Sequence, residues 1–196
     1  MAGKTQMITG VVRVSYLNVW EPRKVDPEDP NSVAKYSVSI LIPKSDKKTL
    51  KELESCCKAA VELGIDKGKF KKAQAGRLRF PMRDGDEEAK TGDRGDEYKG
   101  MIFINANSTR APGVVGKDAK PLMDQDDIYS GAWCRVDINC FPYNTKGNLG
   151  IGVGFNNIMK VKDDERLDGR RSAESAFADY ADDLPEGDGE GDGDLE

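Results

Sequence analysis

The chain has 196 residues, 37% of them hydrophobic, with 35 acidic residues, 30 basic residues, no histidine and a net charge of −5. The length predicts one domain, and the lack of histidine excludes Ser-His-Asp and Cys-His catalysis and histidine metal sites. Nine acids and no base fall within residues 179–196, which leaves 26 acids against 30 bases in residues 1–178, a body of +4 carrying a strongly acidic tail.

Val12, Val14 and Tyr16 alternate with Arg13 and Ser15, which predicts a half-buried strand over Gly10–Leu17. Three prolines between Trp20 and Pro30 predict a loop. Lys35–Pro43 reads as a second strand, with Tyr36, Val38, Ile40 and Ile42 on one face and Lys35, Ser37 and Ser39 on the other. Tyr16 and Tyr36 are thereby placed with the core. A helix follows from Asp46 to Leu63, with Ser45 as the expected N-cap and Gly64 as the expected C-cap. Leu50, Leu53, Cys57, Ala60 and Val61 form its apolar stripe.

Residues 67–83 hold seven bases and no acid, with Phe70 and Phe80 interleaved. Asp84–Glu97 is acidic and glycine-rich and reads as a mobile loop. The third strand, Lys99–Asn107, sets Ile102, Ile104 and Ala106 against Met101, Phe103 and Asn105. Arg110–Asp127 is a long connection. The fourth strand, Ala132–Tyr143, turns Cys134, Val136, Ile138 and Cys140 one way. Trp133, Arg135, Asp137, Asn139, Phe141 and Tyr143 face the other way. A turn at 144–148 leads to the fifth strand, Leu149–Val161, with Leu149, Ile151, Val153 and Phe155 inward and a bulge expected at Asn156–Asn157. Its outward Gly150, Gly152 and Gly154 admit close approach of another backbone or a ligand. Ser172–Tyr180 reads as a short helical turn, and the remainder as a low-complexity tail unable to bury enough apolar surface to order itself. Five strands and one solid helix predict a mainly β fold, a small curled sheet or barrel.

Several motifs fail. Gly113–Lys117 lacks the P-loop spacing, Gly150–Gly154 is not a dinucleotide fingerprint, and Ile128 occupies the third ligand position of the calcium-like run at Asp124. Cys56, Cys57, Cys134 and Cys140 form no C-x-x-C pair and are expected as reduced thiols in a cytoplasm, with no signal peptide and no apolar run of membrane-spanning length. No cofactor and no metal are expected.

What remains is a set of aromatics and cations on a wet sheet face, the arrangement that stacks unpaired bases and tracks their phosphates. The phosphate-tracking candidates are Arg13, Lys35, Arg77, Arg79, Lys99, Arg110, Arg135 and Lys146. The stacking candidates are Tyr98, Phe103, Trp133, Phe141 and Tyr143, followed by Phe80 and Trp20. The acidic tail reads as a nucleic-acid mimic competing for the basic groove and recruiting partner proteins.

Tyr36–Pro43, Pro81–Glu88, Tyr98–Asn107, Arg110–Val115, Tyr129–Tyr143, Gly147–Lys160 and Ala173–Phe177 together resemble a phage-encoded family of single-stranded DNA-binding proteins. Phe103–Asn107 and Gly154–Val161 are the most specific pieces, and the resemblance spans roughly residues 7–180. It implies an OB-fold-like five-stranded barrel over residues 1–171, with one main α-helix and long loops, and a disordered acidic tail over 172–196. It also implies sequence-tolerant binding of single-stranded DNA in phage replication or recombination within the host cytoplasm. The acidic C-terminus would meet replication or recombination proteins; a homodimer stays open, and no membrane is involved. The family's members often end in an aromatic residue, whereas this chain ends Asp194-Leu195-Glu196, which shifts attention to Phe177 and Tyr180. Two rival readings are a structural or protein-interaction β module of a virion without DNA binding, and a carboxylate-only Mg²⁺ nuclease.

Overall fold

The computed structural model describes residues 4–24, 26–92, 94–145 and 147–169. Eight strands form one sheet. They are β1 (Gln6–Ile8), β2 (Val12–Arg23), β3 (Lys35–Pro43), β4 (Arg83–Asp84), β5 (Met101–Ser108), β6 (Gly113–Val115), β7 (Trp133–Thr145) and β8 (Asn148–Lys162). The helices are α1 (Lys47–Asp66) and α2 (Gly85–Thr91). The pairings β2–β3, β3–β5, β5–β8, β8–β7 and β7–β2 run in a ring of five strands, antiparallel except at β5–β8. This is the mainly β, OB-fold-like architecture with one main helix that was expected.

The ring is thin in two places. β2 and β7 share register only at Val12–Cys134 and Arg13–Trp133, and β5 and β8 only at Asn107–Gly154. Both thin places matter for the surface described below. Inside the ring, alternate residues converge as the strand period requires. Val14, Ile40, Ile104, Val136, Ile138, Val153 and Phe155 belong to one buried cluster. Helix α1 adds Leu53, Cys56, Cys57 and Ala60 to it. All four cysteines are free and buried, and Cys57 Sγ lies 3.8 Å from Cys140 Sγ, where the helix meets β7.

The ends of α1 differ from expectation. Asp46, not Ser45, is the N-cap: its carboxylate accepts from the Thr49 N–H at 3.1 Å. The Thr49 hydroxyl in turn accepts from Gly10 N–H at 3.0 Å, tying the helix to the start of β2. Gly64 lies inside the helix, which continues to Asp66. A Cβ there would meet the Phe70 ring and Pro142, so this glycine serves packing, not capping. Phe70 is consequently buried and leaves the set of aromatics offered by the basic run.

Three further readings are corrected. β2 continues through Trp20 to Arg23, into the stretch read as a loop, and β1 precedes the strands that were expected. β2 bulges after Ser15: Ser15 and Asn18 face Ser39 and Ser37, three steps against two. The alternation breaks there, Val14 and Ser15 are both buried, and Tyr16 turns out into solvent at a φ of 46°. Finally, Asp84–Glu97 is not a mobile loop. Asp84 caps α2 by accepting from Asp86 N–H at 2.9 Å, and Gly92, at φ 78°, closes it in the left-handed conformation that glycine tolerates. Lys44 Nζ clamps this segment, donating to Asp84 at 2.7 Å and Asp86 at 2.6 Å.

Candidate nucleic-acid interface

Where β5 and β8 diverge, residues 79–84 cross the gap. The Arg79 backbone bonds to β8 on both sides: Arg79 N–H to the Leu149 carbonyl at 3.0 Å and Ile151 N–H to the Arg79 carbonyl at 2.9 Å. β4 then pairs Arg83 with Phe103 of β5. The crossing segment forms one wall of a cleft of about 780 Å³ on the outer face of the sheet. Lys35, Arg79, Phe80, Phe141 and Tyr143 all line it, as do Arg83, Pro81, Asn105 and Asn107.

Phe80 and Phe141 present their rings to solvent, with 47% and 39% exposure. Phe141 and Tyr143 stand on the outward face of β7, and the glycines of β8 make room for them. A Cβ on Gly152 would lie 2.6 Å from Phe141 Cζ, and one on Gly150 would lie 2.6 Å from both the Tyr143 hydroxyl and the Arg79 carbonyl. The glycine row thus does admit a backbone, at Gly150, but its main tenants are cross-strand side chains. Among the described residues, no carboxylate pairs with Lys35 or Arg79. Arg83 pairs with Glu88 while its guanidinium sits 5.1 Å from the Phe103 ring centroid.

Other sequence candidates lie elsewhere. Tyr98 and Phe103 are fully buried, packed edge to face at 4.9 Å against Leu41. The Tyr98 hydroxyl donates to Ser39 Oγ at 3.0 Å, and burial pushes its pKa up. The segment carrying α2 covers this outer face of β3 and β5, so neither ring offers a base a surface. Lys99 pairs with Asp96 at 2.8 Å on the turn before β5. Arg13 is tied down, donating to the carbonyls of Gly131 at 3.1 Å and Glu165 at 3.0 Å. The Trp133 indole N–H donates to Asp164 at 2.6 Å, and Lys162 Nζ lies 5.0 Å from its ring centroid. That hydrogen bond, first among the causes, holds the Asp164 carboxyl below its ordinary pKa. Arg135 is exposed and donates to the Thr9 carbonyl at 3.3 Å. Arg77 and Arg110 are exposed but outside the cleft. Trp20 lines a separate cleft beside β2. Lys146, the tail from 172, Phe177 and Tyr180 lie outside the described residues.

The sequence reading did not choose Asn105, Asn107 or Arg83. A signal existed for Asn105, which alternates with Ile104 on the face shared with Phe103. Arg83 was visible only as the last base of a long run.

A family model described as the ssDNA-binding protein of Enterobacter phage Enc34 matches residues 5–187. The fold is similar to that of the single-stranded DNA-binding protein from bacteriophage Enc34 in its C-terminal truncation, at 25% identity and TM-score 0.65, covering 83% of this chain and 88% of that one. For the same phage protein in complex with ssDNA the figures are 23% identity, TM-score 0.64, and 83% and 89% coverage. For gp2.5, a single-stranded DNA-binding protein encoded by bacteriophage T7, they are 17%, 0.56, and 88% and 99%. Protein p50 of Acyrthosiphon pisum secondary endosymbiont phage 1 is 24% identical over 163 residues, covering 81% of this chain and 84% of its own. With most of its length inside that family model, the chain belongs to the family of the Enterobacter phage Enc34 single-stranded DNA-binding protein.

Proposed function

We propose that the protein binds single-stranded DNA without sequence preference, with bases in the cleft between residues 79–84 and β7. The observation that carries this is the meeting of two solvent-facing rings, Phe80 and Phe141, with two cations that have no carboxylate partner among the described residues, Lys35 and Arg79, in one cleft. An unpaired base offers a π-face worth about 1–3 kcal/mol on such a ring, while the cations neutralise flanking phosphates. Asn105 and Asn107 add amide donors and acceptors for base edges. A duplex keeps its base faces stacked inside and gives the rings nothing to hold. The test is fluorescence anisotropy with oligo-dT against a duplex of equal length. Preference for oligo-dT, weakening with salt, supports the proposal. Equal affinity for both contradicts it, and no binding to either contradicts it and favours a structural module. Mg²⁺-dependent shortening of the oligonucleotide would point to a nuclease.

The same reading gives the binding role to residues 1–171 and a regulatory role to 172–196, in phage DNA replication or recombination inside the host cell. Body and tail carry opposite charge, so the tail acts as an intramolecular competitor for the cleft and as a docking element for replication proteins. Deleting residues 179–196 should tighten oligo-dT binding and change its salt dependence. Unchanged binding would leave the tail without this role.

A further inference from the structure

The second thin place in the ring also opens a cleft. β2 leaves β7 after Arg13, and beyond that point Tyr16, Trp20 and Arg23 line a cavity of about 530 Å³ with residues 125–126, 128–130 and 166–168. We infer that this cleft takes a further nucleobase of the strand held in the first cleft, an inference that rests on the single-stranded DNA reading above.

Three observations converge. Tyr16 is 57% exposed at a φ of 46°, a conformation that a bulky residue holds only when its surroundings impose it. The Arg94 guanidinium backs the ring at 4.9 Å from its centroid, and the rest of the ring is offered to solvent as a platform. Trp20 Nε1 is a buried donor with no acceptor among the described residues. Buried indole N–H groups normally find a partner, and since Trp20 also lines this cleft, a base whose entry shifts the covering atoms brings a carbonyl acceptor to it. Arg23 and Lys35 are direct partners in the β2–β3 register, one lining the second cleft and the other the first. Like charges placed opposite each other repel, and neither has a carboxylate partner among the described residues. A phosphate lying between them removes that repulsion and joins the two clefts along one backbone.

The acids of the second cleft fit a base better than a phosphate. Arg166 holds Asp168 at 3.1 Å and Asp126 at 3.9 Å, and Glu97 keeps the interior unfavourable to anions. The base therefore enters while its phosphate stays at the Arg23 rim.

The test compares oligo-dT of about four and about twelve nucleotides, near the two ends of the range one OB-fold domain covers. Tyr16→Asn removes the ring and keeps a residue that tolerates the backbone, and Arg23→Gln removes the rim charge without setting an acid opposite Lys35. Both variants should bind the short oligomer as the wild type does and lose about tenfold affinity for the long one. In Trp133→Phe, which leaves Trp20 as the only tryptophan, the long oligomer should quench emission and the short one should not. Equal loss on both lengths, loss on neither, or unquenched Trp20 overturns the second cleft. Failure of the wild type to bind either length refutes the first-cleft reading instead, and this inference with it.

Discussion

Phe141 lies over Gly152 across the β7–β8 pair, so close that a Cβ on the glycine would stand 2.6 Å from the ring's Cζ. The ring has its place because β8 has no side chain beneath it, and the glycine column is the mould for the aromatic wall of the cleft. Gly152→Ala should therefore tilt Phe141 and weaken oligo-dT binding several-fold. The melting temperature should change little, since the added methyl faces outward. Anisotropy and a thermal melt on the same sample check this.

The aromatic residues should separate into two groups by burial. Phe141→Ala removes a solvent-facing ring and should weaken oligo-dT binding by about 1–3 kcal/mol. Phe103→Ala removes a fully buried ring beside Leu41 and Tyr98 and should destabilise the fold by about 3–5 kcal/mol. Denaturant unfolding and binding titrations, run on both variants, should show opposite patterns.

Cations should separate in the same way. Arg79 lines the cleft without a carboxylate partner among the described residues, so Arg79→Ala should lower the salt slope of single-strand binding by about 0.7. Arg13 spends its guanidinium on the Gly131 and Glu165 carbonyls, so Arg13→Ala should leave the slope unchanged and lower stability. A log–log plot of affinity against salt for each variant decides.

Acid should loosen the segment that covers Tyr98. The Lys44 ammonium, as the leading cause, holds the Asp84 and Asp86 carboxyls below their ordinary 3.8. A depressed folded pKa gives stability that is present above that ordinary value and is lost as pH falls through the folded values. Stability should decline as pH drops below about 4, and Lys44→Met should flatten that decline. Equilibrium unfolding across this range measures both slopes.

Much of the ring was legible because its strands alternate cleanly. Lys35–Pro43 was read with its true ends, and the bulge at Asn156 appears as the step from Asp137–Asn157 to Ile138–Phe155. Periodicity shows which residues share a face, but not whether another segment covers it. Phe103 faces outward as read, yet Tyr98 and the segment carrying α2 bury it. α2 itself was hidden because seven residues are too few for an apolar period to register. Its signals were a cap at Asp84 and a closing Gly92, both also common in turns. Tyr16 was misplaced by a bulge that depends on the pairing partner. Arg13 and Trp133 look like free ligands in a strand pattern, but the Gly131 carbonyl and the return of residues 163–165 tie them down.

Photo-crosslinking of a 4-thiothymidine oligonucleotide, with the adducts mapped by peptide mass spectrometry, tests the central claim most directly. Adducts concentrated on the peptides bearing Phe80, Phe141 and Tyr143, and suppressed by salt, are the predicted result. Adducts confined to the outer surface of α1, with none on those peptides, would contradict it.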